Sequence, residues 1–154
     1  MSIRRYLVVP ILAAVGCASA PATLLNSDAQ FGKGRVTTLF TAVDGVRLQE
    51  GVWVPPPDTR YNVPAGKKKL VAVRVVHDPK TSYLSSSVFE TCVALPASFK
   101  AGRVYIGETK VTSNVATISI RDQASGELVG EAVKGTLVAL DPVKSCALEA
   151  AATK

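Results

Sequence analysis

The chain has 154 residues, with 18 lysines and arginines against 12 aspartates and glutamates, a formal charge of +6, one histidine and three cysteines. That length suits a leader plus one domain with a real core and leaves no room for two. The charge is moderate and comes with no basic helix or aromatic-basic repeat, so nucleic acid is excluded as the expected partner.

Residues 1–16 read as an export leader. Arg4 and Arg5 form a charged n-region, residues 6–15 are apolar and interrupted by Pro10, and the small residues Ala14, Val15 and Gly16 lead to Cys17. A run of about ten is half of the roughly 20 residues that a membrane-crossing helix needs, which makes it a processing signal rather than a span. Two cleavage positions compete. Ala18-Ser19-Ala20 has the A-x-A form of an ordinary secretory site, but a cut there leaves Pro21 at the new N-terminus, where its ring restricts the preceding residue and offers no N–H. The cut before Cys17 is preferred.

Ala14-Val15-Gly16-Cys17 resembles a bacterial lipobox, with Ala14 standing where leucine is usual. The resemblance implies diacylglyceryl on the Cys17 sulfur and a further acyl chain on the new amine. Ala18 in place of aspartate implies sorting to the outer membrane, facing the periplasm; a soluble periplasmic or an inner-membrane-anchored form is the alternative. At about 0.8 kcal/mol per buried CH₂, several chains hold far more firmly than one. Loss of Arg4 and Arg5 leaves a mature charge of +4. With Cys17 set aside for lipid, Cys92 and Cys146 remain as an even pair in an oxidising compartment, where a disulfide is expected and two free thiols are the alternative. Only His77 could join them and no CxxC spacing occurs, so no metal or other cofactor is expected.

Residues 17–34 are small and polar with little periodicity and read as the lipidated N-terminus and a flexible tether. The domain is expected over 35–142, with 143–154 as a C-terminal tail. Residues 36–43 are rich in β-branched and aromatic side chains, Asp44-Gly45 supplies a tight hairpin turn, and Val46-Arg47-Leu48 resumes the alternation. A short strand with the only tryptophan, Trp53, stops at Pro55-Pro56-Pro57, which cannot donate to a ladder. Tyr61 and Val63 lead into the turn Pro64-Ala65-Gly66. Within the strand expected over 69–77, positions 70–76 are apolar on both alternating sets except at Arg74, which predicts a central strand with Arg74 on its wetter face. Further strands are expected over 87–95, 103–108, 115–121, 128–133 and 136–140, and residues 146–152 could form one weak terminal helical turn. Eight or nine short strands punctuated by Gly/Pro turns predict an all-β, antiparallel β-sandwich; a small β-barrel is the alternative.

Ala42-Val43-Asp44-Gly45, residues 61–67, Ala101-Gly102-Arg103-Val104-Tyr105, and Asp122 with Ser125-Gly126-Glu127 together resemble small proteobacterial envelope lipoproteins. The resemblance spans roughly residues 36–133. It implies a sandwich of transthyretin or immunoglobulin type and no defined activity. Ala65 is inserted between Pro64 and Gly66, and lysines stand where a histidine is common.

No enzymatic chemistry is expected. His77 and Asp78 are strand neighbours and point to opposite faces, and no G-x-S-x-G elbow serves Ser85, Ser86 or Ser87. Asp44, Asp58, Asp78 and Asp122 sit at turn positions, where aspartate bonds its own backbone. The expected role is a structural or accessory interaction module in the envelope, anchored to the membrane and engaging a protein partner through a surface that could include Trp53 and Tyr61. One alternative is binding of envelope glycan or anionic lipid by Lys67, Lys68 and Lys69. Another is inhibition of a host hydrolase, which the basic charge disfavours.

Overall fold

The computed structural model describes residues 19–31, 34–48, 56, 58–79 and 88–140. Eleven strands run through them: β1 (Ala22–Leu25), β2 (Ser27–Phe31), β3 (Gly34–Val43), β4 (Val46–Arg47), β5 (Arg60–Val63), β6 (Gly66–Asp78), β7 (Phe89–Phe99), β8 (Val104–Thr112), β9 (Val115–Asp122), β10 (Val133–Thr136) and β11 (Val138–Ala139). One sheet has the order β10-β9-β8-β1-β5; the other has β11-β7-β6-β3-β2, with β4 paired to β3. The two do not close on each other. The expected all-β sandwich is therefore present, and the barrel alternative is not adopted.

Alternation along the long strands explains the layering. On β6, Val71, Val73 and Val75 point inward and are fully buried; they meet Phe40 from β3, Leu95 from β7, and Leu24, Tyr105, Ile118 and Ile120 from the opposite sheet. Each such side chain contributes roughly 1.5–3 kcal/mol on burial. Asp44 and Gly45 have φ of 50° and 77°, the left-handed pair that a two-residue hairpin between Val43 and Val46 requires.

Three expectations need correction. Residues 22–31 are strand, not tether, and Ala22 and Leu24 are fully buried. The ladders are not all antiparallel either, because β1 runs parallel to β8. Arg74 does stand on the wetter face of β6, opposite the inward Val71, Val73 and Val75, and there its guanidinium lies 2.8 Å from the carboxylate of the buried Glu90. No strand covers 128–133; Leu128 makes an isolated bridge to Arg121 and pairing resumes at Val133. There Gly130, at φ 93°, lies so close to the Pro96 carbonyl that a Cβ would sit 2.2 Å from it, which bends the chain out of register.

Two crossings stitch the layers together. Asn26 separates β1 in one sheet from β2 in the other, and Leu137 separates β10 from β11 in the same way. Asn26 is buried, donates its N–H to the Thr59 carbonyl (3.1 Å), and accepts the Phe40 N–H on Oδ1 (2.9 Å).

Candidate functional site

The sheet switch at Asn26 leaves an opening. β1 accompanies β8 only as far as Leu25, opposite Ile106, before the chain leaves for the other sheet. The Gln123 N–H donates to the Val104 carbonyl (2.8 Å), so Val104 bonds toward β9. Antiparallel ladders alternate; the backbone groups of Tyr105, Gly107, Thr109 and Val111 thus face the opposite side. Tyr105 meets β1. Gly107 has its carbonyl taken by the Ser27 hydroxyl. Beyond that, Thr109 and Val111 face a cleft of about 630 Å³ between β8 and the edge strand β2.

The floor of this cleft is built from Val36, Thr38 and Thr109, and the Thr38 and Thr109 hydroxyls bond at 2.8 Å across the two sheets. Gly107 is needed here: an added Cβ would lie 2.7 Å from Thr38 Cγ2 and 3.4 Å from the Phe40 ring. Both rims are polar. Arg35 Nε pairs with Asp28 at 2.6 Å on the β2 side, and Arg121 Nε pairs with Glu108 at 2.6 Å on the β8 side. Lys110 is exposed beside them, and no carboxylate among the described residues pairs with it. The arrangement offers an extended chain a row of backbone partners, a floor with two hydroxyls, and charges of both signs.

The residues singled out by sequence lie elsewhere. Cys17, Trp53 and Cys146 are outside the described residues, so neither a Trp53–Tyr61 surface nor a Cys92–Cys146 pair is brought together by the described part of the chain. Tyr61 is half-buried on β5 and packs against the core. Cys92 lies on β7, opposite Arg74. Lys67 and Lys68 are exposed at a bulge between Gly66 and Lys69, with Lys68 at φ 54°. Lys69 is not free for a ligand, because its ammonium lies 2.9 Å from Asp44.

Of the aspartates expected to bond their own turn backbone, Asp122 does so, Asp44 accepts from a distant strand instead, and Asp78 is the last residue of β6. The Leu70 N–H donates to Asp44 (2.8 Å), and with the Lys69 ammonium it lowers that carboxyl's pKa. The Ser125 and Ala124 N–H groups donate to Asp122 Oδ1 (3.1 and 2.9 Å), and these bonds, with Arg103 nearby, lower the pKa of Asp122. Among the described residues no group of three His, Cys, Asp or Glu side chains could hold a metal.

Comparison with protein-family models, curated proteins and solved structures gives no match. Sequence reasoning missed the cleft altogether. Its one legible signal is Gly107 inside a strand pattern, which marks a place where something approaches the backbone closely.

Proposed function

We propose that this chain is a non-enzymatic, lipid-anchored envelope protein, facing the periplasm from the outer membrane, that receives an extended segment of a protein partner along the open edge of β8. The flank of β8 beside the cleft, which no strand among the described residues pairs beyond Ile106, carries this reading. A strand laid there would hydrogen-bond to Thr109 and Val111, and its alternate side chains would enter the cleft, the mode by which sheet edges take peptides. Lipidation of Cys17 supplies the location, with the lipobox resemblance as its support. A Cys92–Cys146 disulfide belongs to the same reading; it is supported by the oxidising compartment and by the even pair that remains once Cys17 carries lipid.

A photo-crosslinking side chain at Ala29 or Lys110, on either side of the cleft, should capture one discrete partner in intact cells. The same group at Lys134, on β10 at the far edge of the sheet, should not. Val111→Pro removes a donor that faces the cleft while leaving the β9 side of the ladder intact, and should abolish capture. Capture that is equal from Lys134, or undiminished by V111P in a folded protein, refutes the proposal.

A further inference from the structure

We propose that the end of the sandwich from which the N-terminus leaves lies against the membrane, with Lys67, Lys68, Lys100 and Arg103 on anionic phospholipid headgroups. The inference rests on lipidation of Cys17, and it adds which face of the domain meets the bilayer.

Chain length sets the first constraint. The Pro21 carbonyl accepts the Gly102 N–H (3.0 Å) and the Thr23 N–H donates to the Arg103 carbonyl (2.9 Å), so the chain is already fixed to the domain at Pro21. Only residues 18–20 separate that fixed point from Cys17. At no more than about 3.6 Å per residue, the lipidated cysteine lies within roughly 15 Å of the β7–β8 turn.

Strand directions set the second. β5 arrives at this end beside β1, with Val63 opposite Ala22, and hands over to β6 through Pro64 and Ala65. Gly66 lies opposite Phe99, and the Lys68 N–H donates to Ser98 Oγ (3.3 Å). This brings the lysine bulge to the turn of residues 100–103. The Lys100 N–H donates to the Tyr105 hydroxyl (2.8 Å), and the Tyr105 ring packs on Phe99 at 4.9 Å, which fixes that turn. Regular alternation would turn Lys67 and Lys68 to opposite faces; the bulge instead leaves both exposed.

The charge left over is positive. Two cations at this end have carboxylate partners, Lys69 with Asp44 and, at 3.8 Å, Arg103 with Asp122. No carboxylate among the described residues pairs with Lys67, Lys68 or Lys100, and Glu127 is the exposed acid of the neighbouring β9 turn. At the other end of the same sheet, the β8–β9 turn of Ser113 and Asn114 is uncharged. Cations held within a Debye length of an anionic surface, about 8 Å at physiological salt, are attracted to it, and an acyl anchor keeps them there.

The test uses the full lipidated protein in vesicles of phosphatidylcholine alone or with 30% phosphatidylglycerol, the lysines being labelled with an amine-reactive ester and read by mass spectrometry. With phosphatidylglycerol, labelling of Lys67, Lys68 and Lys100 should fall at least about fivefold relative to Lys110 and Lys134, and recover in 0.5 M salt. Equal labelling of all five lysines, or protection by isolated peptidoglycan and not by the vesicles, overturns the proposal. The same spectra report the mass of the N-terminal peptide. A chain acylated at Cys17 but unprotected refutes this inference alone, whereas an unacylated Cys17 refutes the anchor on which it stands.

Discussion

Asn26 sits where the chain passes from one sheet to the other. It is 2% exposed, its Oδ1 holds the Phe40 N–H, and its Nδ2 has no hydrogen-bond partner among the described residues. An orphaned buried donor costs about 1–3 kcal/mol, yet losing the acceptor would orphan the Phe40 N–H in turn. Asn26→Ala should therefore destabilise the protein by about 1–3 kcal/mol in urea unfolding, and Asn26→Asp, which keeps the acceptor, should not restore full stability, because it buries a charge. Asp44 and Asp122 make a second prediction at this scale. Hydrogen bonds from Leu70 and from Ser125 depress their pKa values in the fold. The unfolded chain therefore binds protons more readily, so their contribution is complete above the ordinary carboxylate pKa near 4 and is lost as pH falls through the folded values. Thermal midpoints should drop below pH 4, and Asp44→Asn and Asp122→Asn should each flatten that acid limb.

Among the elements, the long strands were readable and so were the short β4 and β11, but β1 and β2 were not. β3, β6 and β9 have eight or more residues with a consistent inward set, and the Asp44-Gly45 turn needs the left-handed conformations that those residues tolerate. β1 and β2 escaped because alternation restarts at Asn26: four residues belong to one sheet and five to the other, so no window shows a sustained period. Residues 128–133 misled for the opposite reason. They have strand-like composition, but Gly130 passes over the Pro96 carbonyl, a long-range contact that composition does not reveal. β8 yields the sharpest test. Gly107→Val would force a branched side chain onto Thr38 and Phe40, and overpacking of this kind costs about 1–3 kcal/mol. Chemical denaturation should show that loss, and a Thr38→Ser partner substitution, which removes the clashing methyl, should recover part of it.

For the molecule as a whole, the site was less legible than the fold. The lysine bulge could be seen in the sequence, but its neighbours Lys100 and Arg103 come from a turn more than 30 residues away and were brought to it only by the β6–β7 pairing. The cleft depends on where β1 stops, which is a property of topology. A prediction at this scale concerns the covalent closure proposed between Cys92 and Cys146. A loop of that length would stabilise by about 4 kcal/mol in the chain-entropy model. Cys146→Ser should lower the thermal midpoint of the oxidised protein and abolish its sensitivity to reductant; a midpoint unmoved by reductant in the unaltered protein would rule the bridge out.

The placement of β1 also has a mechanical meaning. It is bonded on one flank to β5 and on the other to β8. A protein held by its N-terminus and pulled by a partner at the far end takes the load along this strand. Tension then acts lengthwise on two ladders that must shear together instead of peeling open one bond at a time, which makes a four-residue strand the tension-bearing root of the domain.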